Sequence, residues 1–443
     1  PAGTLTKELT ERIRQAKPQI LDRLRNEDGR ATRARGPGPH PLGLVQRWLW
    51  IQEQLEGGSS INSIPGAWRL LGDFHHEAFE QAFREVVRRH RILRTRILWD
   101  GGDPRQVLDG PVEVAVPMVD LESFPPEERH DRMMRRVEEL RDRAFDLGRA
   151  PLFRIRLFRL AEREHVFFLV PHHLVWDGWS WDVLHEELSR LYPAFRDGRP
   201  SPLPELPLDY LEYVLRHRER MEGPELERQL GYWRRELSDP PGALDLPYDH
   251  PPAPGERTLT GVRRALDLDG ELLERARALA TETRTTLFMV LLTAFSALLA
   301  RWSGQRDLLV GTPVAGRLRR ELEPLLGFFV NTLVLRMDLA SEGEEPTFAD
   351  ALTQARRRVL DAQATTDAEH DQADRRRTRF GTRVVHHVAK PGQGQAAGFH
   401  CFGNLFHFAH KTPRFNGDAD GATFEPFEQF RLRGRVDRVK HGD

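Results

Sequence analysis

Val166-Phe167-Phe168-Leu169-Val170-Pro171-His172-His173-Leu174-Val175-Trp176-Asp177-Gly178 is the stretch from which the rest of the 443-residue chain is read. Its first five residues are apolar without alternation, the pattern of a strand buried on both faces. Before it, residues 152–160 set Arg154, Arg156 and Arg159 among apolar neighbours, as in a half-buried strand, and 161–164 form a polar turn between the two. After it, Val183, Leu184, Leu188 and Leu191 recur at helical spacing, with Ser180 placed to cap that helix. The histidines therefore sit where a central strand ends and a helix is about to begin. Neighbouring residues at a strand end point to opposite sides. His172 and His173 cannot then clamp one metal ion; one can face a cleft while the other is structural. Asp177, four residues beyond His173, can orient nearby groups or pair with an arginine, and Gly178 permits a tight backbone. The plainer reading is a satisfied core histidine and a turn acid.

Outward from this stretch, helices are expected over 46–55, 78–89 and 127–145, and a strand over 94–99. Residues 238–257 are proline-rich and aperiodic, which places a connection between two lobes there. The second lobe then reads as helices over 270–282 and 286–302, strands over 307–312 and 328–339, and a helix over 347–364. The run 287–302 is the longest apolar one. It falls short of the roughly 18–20 apolar residues a membrane span needs and reads as a buried core helix. Residues 1–26 read as two short helices and 27–41 as an Arg/Gly/Pro-rich linker, so the lobes run over 42–237 and 258–372.

The charge count is balanced, 66 basic against 67 acidic residues. No net basic field marks a nucleic-acid or anionic-membrane partner. The single cysteine, Cys401, excludes an internal disulfide framework and a cysteine-rich zinc site. A cytoplasmic location is expected, since residues 1–26 have no signal-peptide pattern. Only five basic residues are lysine, and none lies between Pro18 and Ala389. Past Gln372 the pattern changes: Leu405 and Leu432 are the only leucines, nine phenylalanines appear, and helical periodicity stops. Residues 373–443 form an atypical tail, read as divergent sequence, a disordered extension, or translation in a shifted frame, the last being favoured.

His172-His173-Leu174-Val175-Trp176-Asp177-Gly178 resembles the HHxxxDG signature of nonribosomal peptide synthetase condensation domains. Other segments agree, in the family's order. Gln46-Arg47-Trp48-Leu49-Trp50 resembles its first motif and Arg89-His90-Arg91-Ile92-Leu93-Arg94-Thr95 its second. Tyr210-Leu211-Glu212-Tyr213 is similar to its fourth, and Gly327-Phe328-Phe329-Val330-Asn331-Thr332 to its fifth, preceded by a segment that ends in Gly316-Arg317. Departures are local: Gly43 stands where serine is usual, Trp48 where arginine is usual and Arg216 where tryptophan is usual. The sixth motif should begin near His370, but after Gln372 the likeness stops. Residues 1–26 resemble the end of a docking domain, so a piece of a longer protein is expected.

The resemblance implies an α/β fold of the two-layer α+β kind, the bilobed V of chloramphenicol acetyltransferase with a central tunnel. It implies amide formation: the α-amine of a carrier-bound aminoacyl thioester attacks a carrier-bound acyl or peptidyl donor. Neither a metal nor a bound cofactor is expected, the substrates arriving on phosphopantetheine arms of upstream and downstream carrier domains. An adenylation domain downstream and a docking partner at the N-terminus complete the expected partners. By the same resemblance His173 is the active-site histidine, and Gly178 leaves a backbone N–H near the developing oxyanion. Asp177 is structural, paired with Arg89 or Arg94, with Arg317 as a third candidate. His172 packs, and Trp176, Ser180 and Asn331 shape the tunnel. Other readings stay open: an impaired, truncated domain that only docks carriers, or a freestanding acyltransferase of the same superfamily.

Overall fold

Five consecutive apolar residues in an extended chain need cover on both sides, and the fold supplies it. The computed structural model describes residues 38–55, 60–99, 101–110, 112–249, 269–339 and 347–366, with the backbone of 423–426. In the first lobe the order is β1 (Pro39–Pro41), α1 (Leu44–Leu55), β2 (Gly66–Leu71), α2 (His76–Arg89), β3 (Thr95–Leu98), β4 (Arg105–Leu108) and β5 (Met118–Asp120). It continues with α3 (Pro126–Asp142), β6 (Phe153–Ala161), β7 (Glu164–Pro171), α4 (Ser180–Arg196), α5 (Tyr210–Arg220) and α6 (Pro224–Glu236). Beyond the connection follow α7 (Gly270–Glu282), α8 (Leu287–Ser303), β8 (Asp307–Val314), β9 (Asn331–Asp338) and α9 (Phe348–Thr366). The tail contributes β10 (Thr423–Pro426).

Strand β7 lies between β2 and β6, antiparallel to both, in a sheet ordered β10-β2-β7-β6-β5. Its alternation splits the apolar run. Phe167 and Leu169 join the main core with Phe79 and Phe83 of α2 and Leu184 and Leu188 of α4. Val166, Phe168 and Val170 face Met133 and Val137 of α3. Helices thus cover both faces of the sheet, because β7 leaves neither face polar. A second sheet, β1-β4-β3, brings residues 39–41 into the fold. The folded body consequently begins before residue 42, inside the expected linker.

The second core gathers α7, α8, β8, β9 and α9. Thr286 caps α8 by accepting the Met289 N–H, and Gly304 ends it in the left-handed region (φ 71°). As expected of a core helix, it packs into the second core. Phe288, Leu292 and Leu299 are buried, but Leu298 and Trp302 are 43% and 61% exposed, so only one face meets the core. No single helix among the described residues is long and apolar enough to cross a membrane; α7 and α8 pass such a test together only across a 108° bend.

Packing does not follow the boundaries drawn from sequence. Trp233 of α6 packs on the second core, and Arg358 of α9 pairs with Glu236 at 2.5 Å. Arg336 of β9 ties Asp307 (2.6 Å) to the carbonyl of Ser238 (2.7 Å). In the other direction Leu322, Leu325, Leu326, Phe328 and Phe329 are buried in the first core. Residues 1–26, expected as a docking segment, most of the expected linker, residues 250–257, and the tail apart from β10 lie outside the described residues, as do Cys401 and the tail histidines.

Phe167→Ala removes a fully buried ring at the centre of this arrangement. The expected cost is about 3–5 kcal/mol, read from the urea midpoint; a loss below about 1 kcal/mol would contradict the packing described.

Candidate active site

At Pro171 the chain leaves β7 and tightens into a single 3-10 turn, His173–Val175. The turn is held by the residues around it. The His172 N–H donates to the Leu152 carbonyl (2.9 Å) and the His173 N–H to the Asn62 carbonyl (2.8 Å). From α1, the Gln46 side chain donates to the Leu174 carbonyl at 2.8 Å. The two histidines do have separate surroundings. His172 is 1% exposed, with Phe145 edge-on at 5.6 Å. Its Nδ1 accepts the Leu174 N–H at 3.1 Å, so the ring proton sits on Nε2, which faces Glu53 Oε2 at 3.7 Å. The expected packing residue is therefore also an electrostatic one.

His173 is 6% exposed and lies edge-on to Phe328, with ring centres 4.8 Å apart. Its Nδ1 is 2.7 Å from the Trp176 carbonyl oxygen. A carbonyl can only accept, so Nδ1 carries the proton and Nε2 keeps a lone pair. Burial pushes the His173 pKa below its ordinary value, outweighing the opposing pull of the Trp176 carbonyl and Asp177. The neutral imidazole is the favoured form at neutral pH.

Asp177 is wholly buried, and both of its oxygens are used. Oδ1 accepts the Ser180 N–H (2.9 Å) and the Ser180 hydroxyl (2.8 Å). Oδ2 accepts Arg317 Nη1 (2.6 Å) and the Phe329 N–H (3.2 Å). Of the three arginines considered as its partner, Arg317 fills the role. Its side chain is 1% exposed, donates also to the Leu325 carbonyl (2.9 Å), and stacks 4.0 Å over the Phe329 ring. Arg89 is instead committed to Glu187 (3.0 Å) and the Pro204 carbonyl (2.8 Å). Arg94 points to the carbonyls of Gly110 and Arg88, both at 3.4 Å. A shared motif with His90 made these two attractive, but the helix end aims them at α4 and at a neighbouring loop.

These bonds fasten residues 316–330, from the second half of the chain, onto the histidine turn. The Ser180 hydroxyl accepts the Gly327 N–H (3.2 Å), Tyr210 donates to the Phe328 carbonyl (2.6 Å), and His90 Nδ1 accepts the Leu326 N–H (3.2 Å). His90 in turn meets Glu187 at 3.1 Å. Gly316 and Gly327 have positive φ, and a Cβ on either would collide, with the Phe329 carbonyl and the Tyr210 ring respectively. Gly178 lies in the tight turn expected of it, closed by the Ser180 N–H on the Asp177 carbonyl at 3.2 Å, though without the positive φ of Gly316 and Gly327.

Two of the three expected tunnel residues serve otherwise. Ser180 belongs to the carboxylate network rather than capping its helix, and Trp176 is buried against Trp181, with ring centres 4.8 Å apart. Asn331 is exposed at the start of β9, its Oδ1 accepting the Thr332 N–H. Glu53, Asn62 and Glu187 were not anticipated. The one available signal was that Gln46 and Glu53, seven apart, share a face of α1. Among the described residues no His, Cys, Asp and Glu group could hold a metal ion.

Asp177→Asn leaves Arg317 buried without its counter-charge and should cost about 3–5 kcal/mol of stability; a melt identical to the parent would contradict the pairing. For His173, the unfolded chain takes up its proton near pH ~6.5 and the folded chain only at lower pH. Stability should therefore fall as the pH drops through that window, and His173→Gln should remove that part of the acid sensitivity. An unchanged pH dependence of the urea midpoint would refute it.

The condensation-domain family model matches residues 38–377. A linear gramicidin synthase of Brevibacillus parabrevis is 39% identical over 334 residues, 75% of this chain and 6% of that protein. Phosphinothricin tripeptide synthetase PhsC of Streptomyces viridochromogenes is 39% identical over 332 residues, 74% of this chain and 30% of that protein. The chain thus spans a small part of the curated relatives it matches. Among solved structures, the first condensation domain of the calcium-dependent antibiotic synthetase, in complex with substrate analogue 2a, superposes with a TM-score of 0.63 at 26% identity, over 74% of this chain and 75% of that one. The X-domain from teicoplanin biosynthesis, in its complex with OxyB, gives 0.62 at 26% identity, over 75% and 72%. A match running through both lobes, on a fold shared with solved condensation domains, leaves one assignment: the chain belongs to the condensation-domain family of nonribosomal peptide synthetases, with its chloramphenicol acetyltransferase-like α/β fold.

Proposed function

We propose that this chain joins a carrier-bound acyl or peptidyl thioester to the α-amine of a carrier-bound aminoacyl thioester, with His173 Nε2 accepting the amine's proton. The observation that carries this reading is the Nδ1–H bond from His173 to the Trp176 carbonyl, which leaves the Nε2 lone pair as the ring's acceptor. The burden on that base is modest. A free α-amine has a pKa of about 8, so on the order of a tenth is neutral at pH 7 before any catalysis. Holding the two reactants together is worth about 7–11 kcal/mol. General-base help contributes about 10²–10⁴-fold. Positioning therefore contributes more than proton removal, and His173 accepts the proton as the tetrahedral intermediate forms or collapses. A backbone N–H at Gly178 is the proposed donor to the oxyanion. Asp177 keeps a structural role.

The substrates would arrive on phosphopantetheine arms, with carrier domains on either side and an adenylation domain downstream; that this chain matches only a small part of much longer synthetases supports carrier and adenylation partners in general. In a single-turnover assay with loaded donor and acceptor carriers, His173→Ala should slow amide formation by about 10²–10⁴-fold while carrier binding persists. Dipeptidyl thioester forming at the parental rate would sink the proton-accepting role.

A further inference from the structure

We infer that Glu53 is a positioning residue for His173, acting through His172 and Asn62. This rests on the proposed role of His173. Glu53 is 2% exposed on the inner face of α1, and its Oε2 gathers two groups. The Asn62 side-chain amide donates to it in a short hydrogen bond, and the His172 Nε2 proton faces it at 3.7 Å. Each of these leads directly to the histidine turn. The Asn62 carbonyl accepts the His173 N–H at 2.8 Å, and His172 Nδ1 accepts the Leu174 N–H at 3.1 Å. Gln46, two helical turns earlier on the same face, holds the Leu174 carbonyl at 2.8 Å. One helix thus fixes backbone groups on both sides of His173.

Stability alone is a poor reason for an acid here. Glu53 Oε1 is buried without a hydrogen-bond partner among the described residues, and a half-satisfied carboxylate costs more than an apolar side chain of the same size. The carboxyl is nevertheless ionised: burial raises its pKa, but the contacts with His172 and Asn62 outweigh burial and hold it below the ordinary range. What the charge does is orient the His172 ring with its proton on Nε2. That leaves Nδ1 free to accept from Leu174, and it keeps Asn62 rigid beneath the His173 amide. A displacement of the catalytic ring by about 1 Å can cost on the order of 100-fold in rate, so a charge two bonds removed from His173 has leverage.

The test is a cycle of Glu53→Gln, His173→Ala and the double variant. It is read by single-turnover amide formation from loaded carriers and by the imidazole ¹⁵N signals of histidine-labelled protein. Glu53→Gln alone should slow the reaction on the order of 10- to 100-fold and shift the His173 ring signals, identified by their loss in His173→Ala. In the His173→Ala background it should slow the reaction no further. Equal slowing in both backgrounds, or unmoved His173 signals, would overturn the inference while leaving the role of His173 intact. A parental rate for His173→Ala would instead remove the reading beneath it. If Glu53→Gln does not fold, Glu53→Asp, which keeps the charge but retracts it by one methylene, takes its place with the same two readouts.

Discussion

The buried carboxylate of Asp177 is the point on which the rest of the structure depends. Four donors converge on it: the amide and hydroxyl of Ser180 and, from far along the chain, Arg317 and the Phe329 amide. Removing two charges from water is expensive, and a lone buried pair often gains nothing over apolar packing. Here the geometry recovers much of that cost, because every lone-pair direction of the acid is met and Arg317 also binds a carbonyl and an aromatic face. The return is positional. Residues 316–330 are fastened to the first lobe, and Phe328 is held edge-on against His173.

That placement determines the chemistry available. A histidine exposed to water would share its proton between two nitrogens and titrate near neutrality. Buried under Phe328 and bonded to the Trp176 carbonyl, His173 is neutral, with one tautomer and one free lone pair. A weak base suffices when the nucleophile is an amine that is already partly neutral, and a fixed lone pair suits a reaction whose main barrier is alignment.

Much of this was legible in the sequence for physical reasons. Five apolar residues without alternation read as a strand covered on both faces, and the helical spacing of Phe79, Phe83, Val86 and Val87 marked α2. Long-range pairing was not legible. Arg89 and Arg94 were expected ahead of Arg317 as mates for Asp177, and the structure reverses that order, since Glu187 of α4 claims Arg89 while Arg317 reaches the carboxylate. Nor could spacing reveal that Glu53 meets Asn62 and His172 across a turn. Nor does local pattern record that α6 and residues 316–330 each pack on the core of the other lobe.

The Asp177 network holds His173 as a neutral base with its proton on Nδ1. A neutron diffraction structure of crystals grown near neutral pH tests it most directly. Deuterium is expected on His173 Nδ1, directed at the Trp176 carbonyl, with none on Nε2. Deuterium on Nε2, or an imidazolium carrying both, would contradict it.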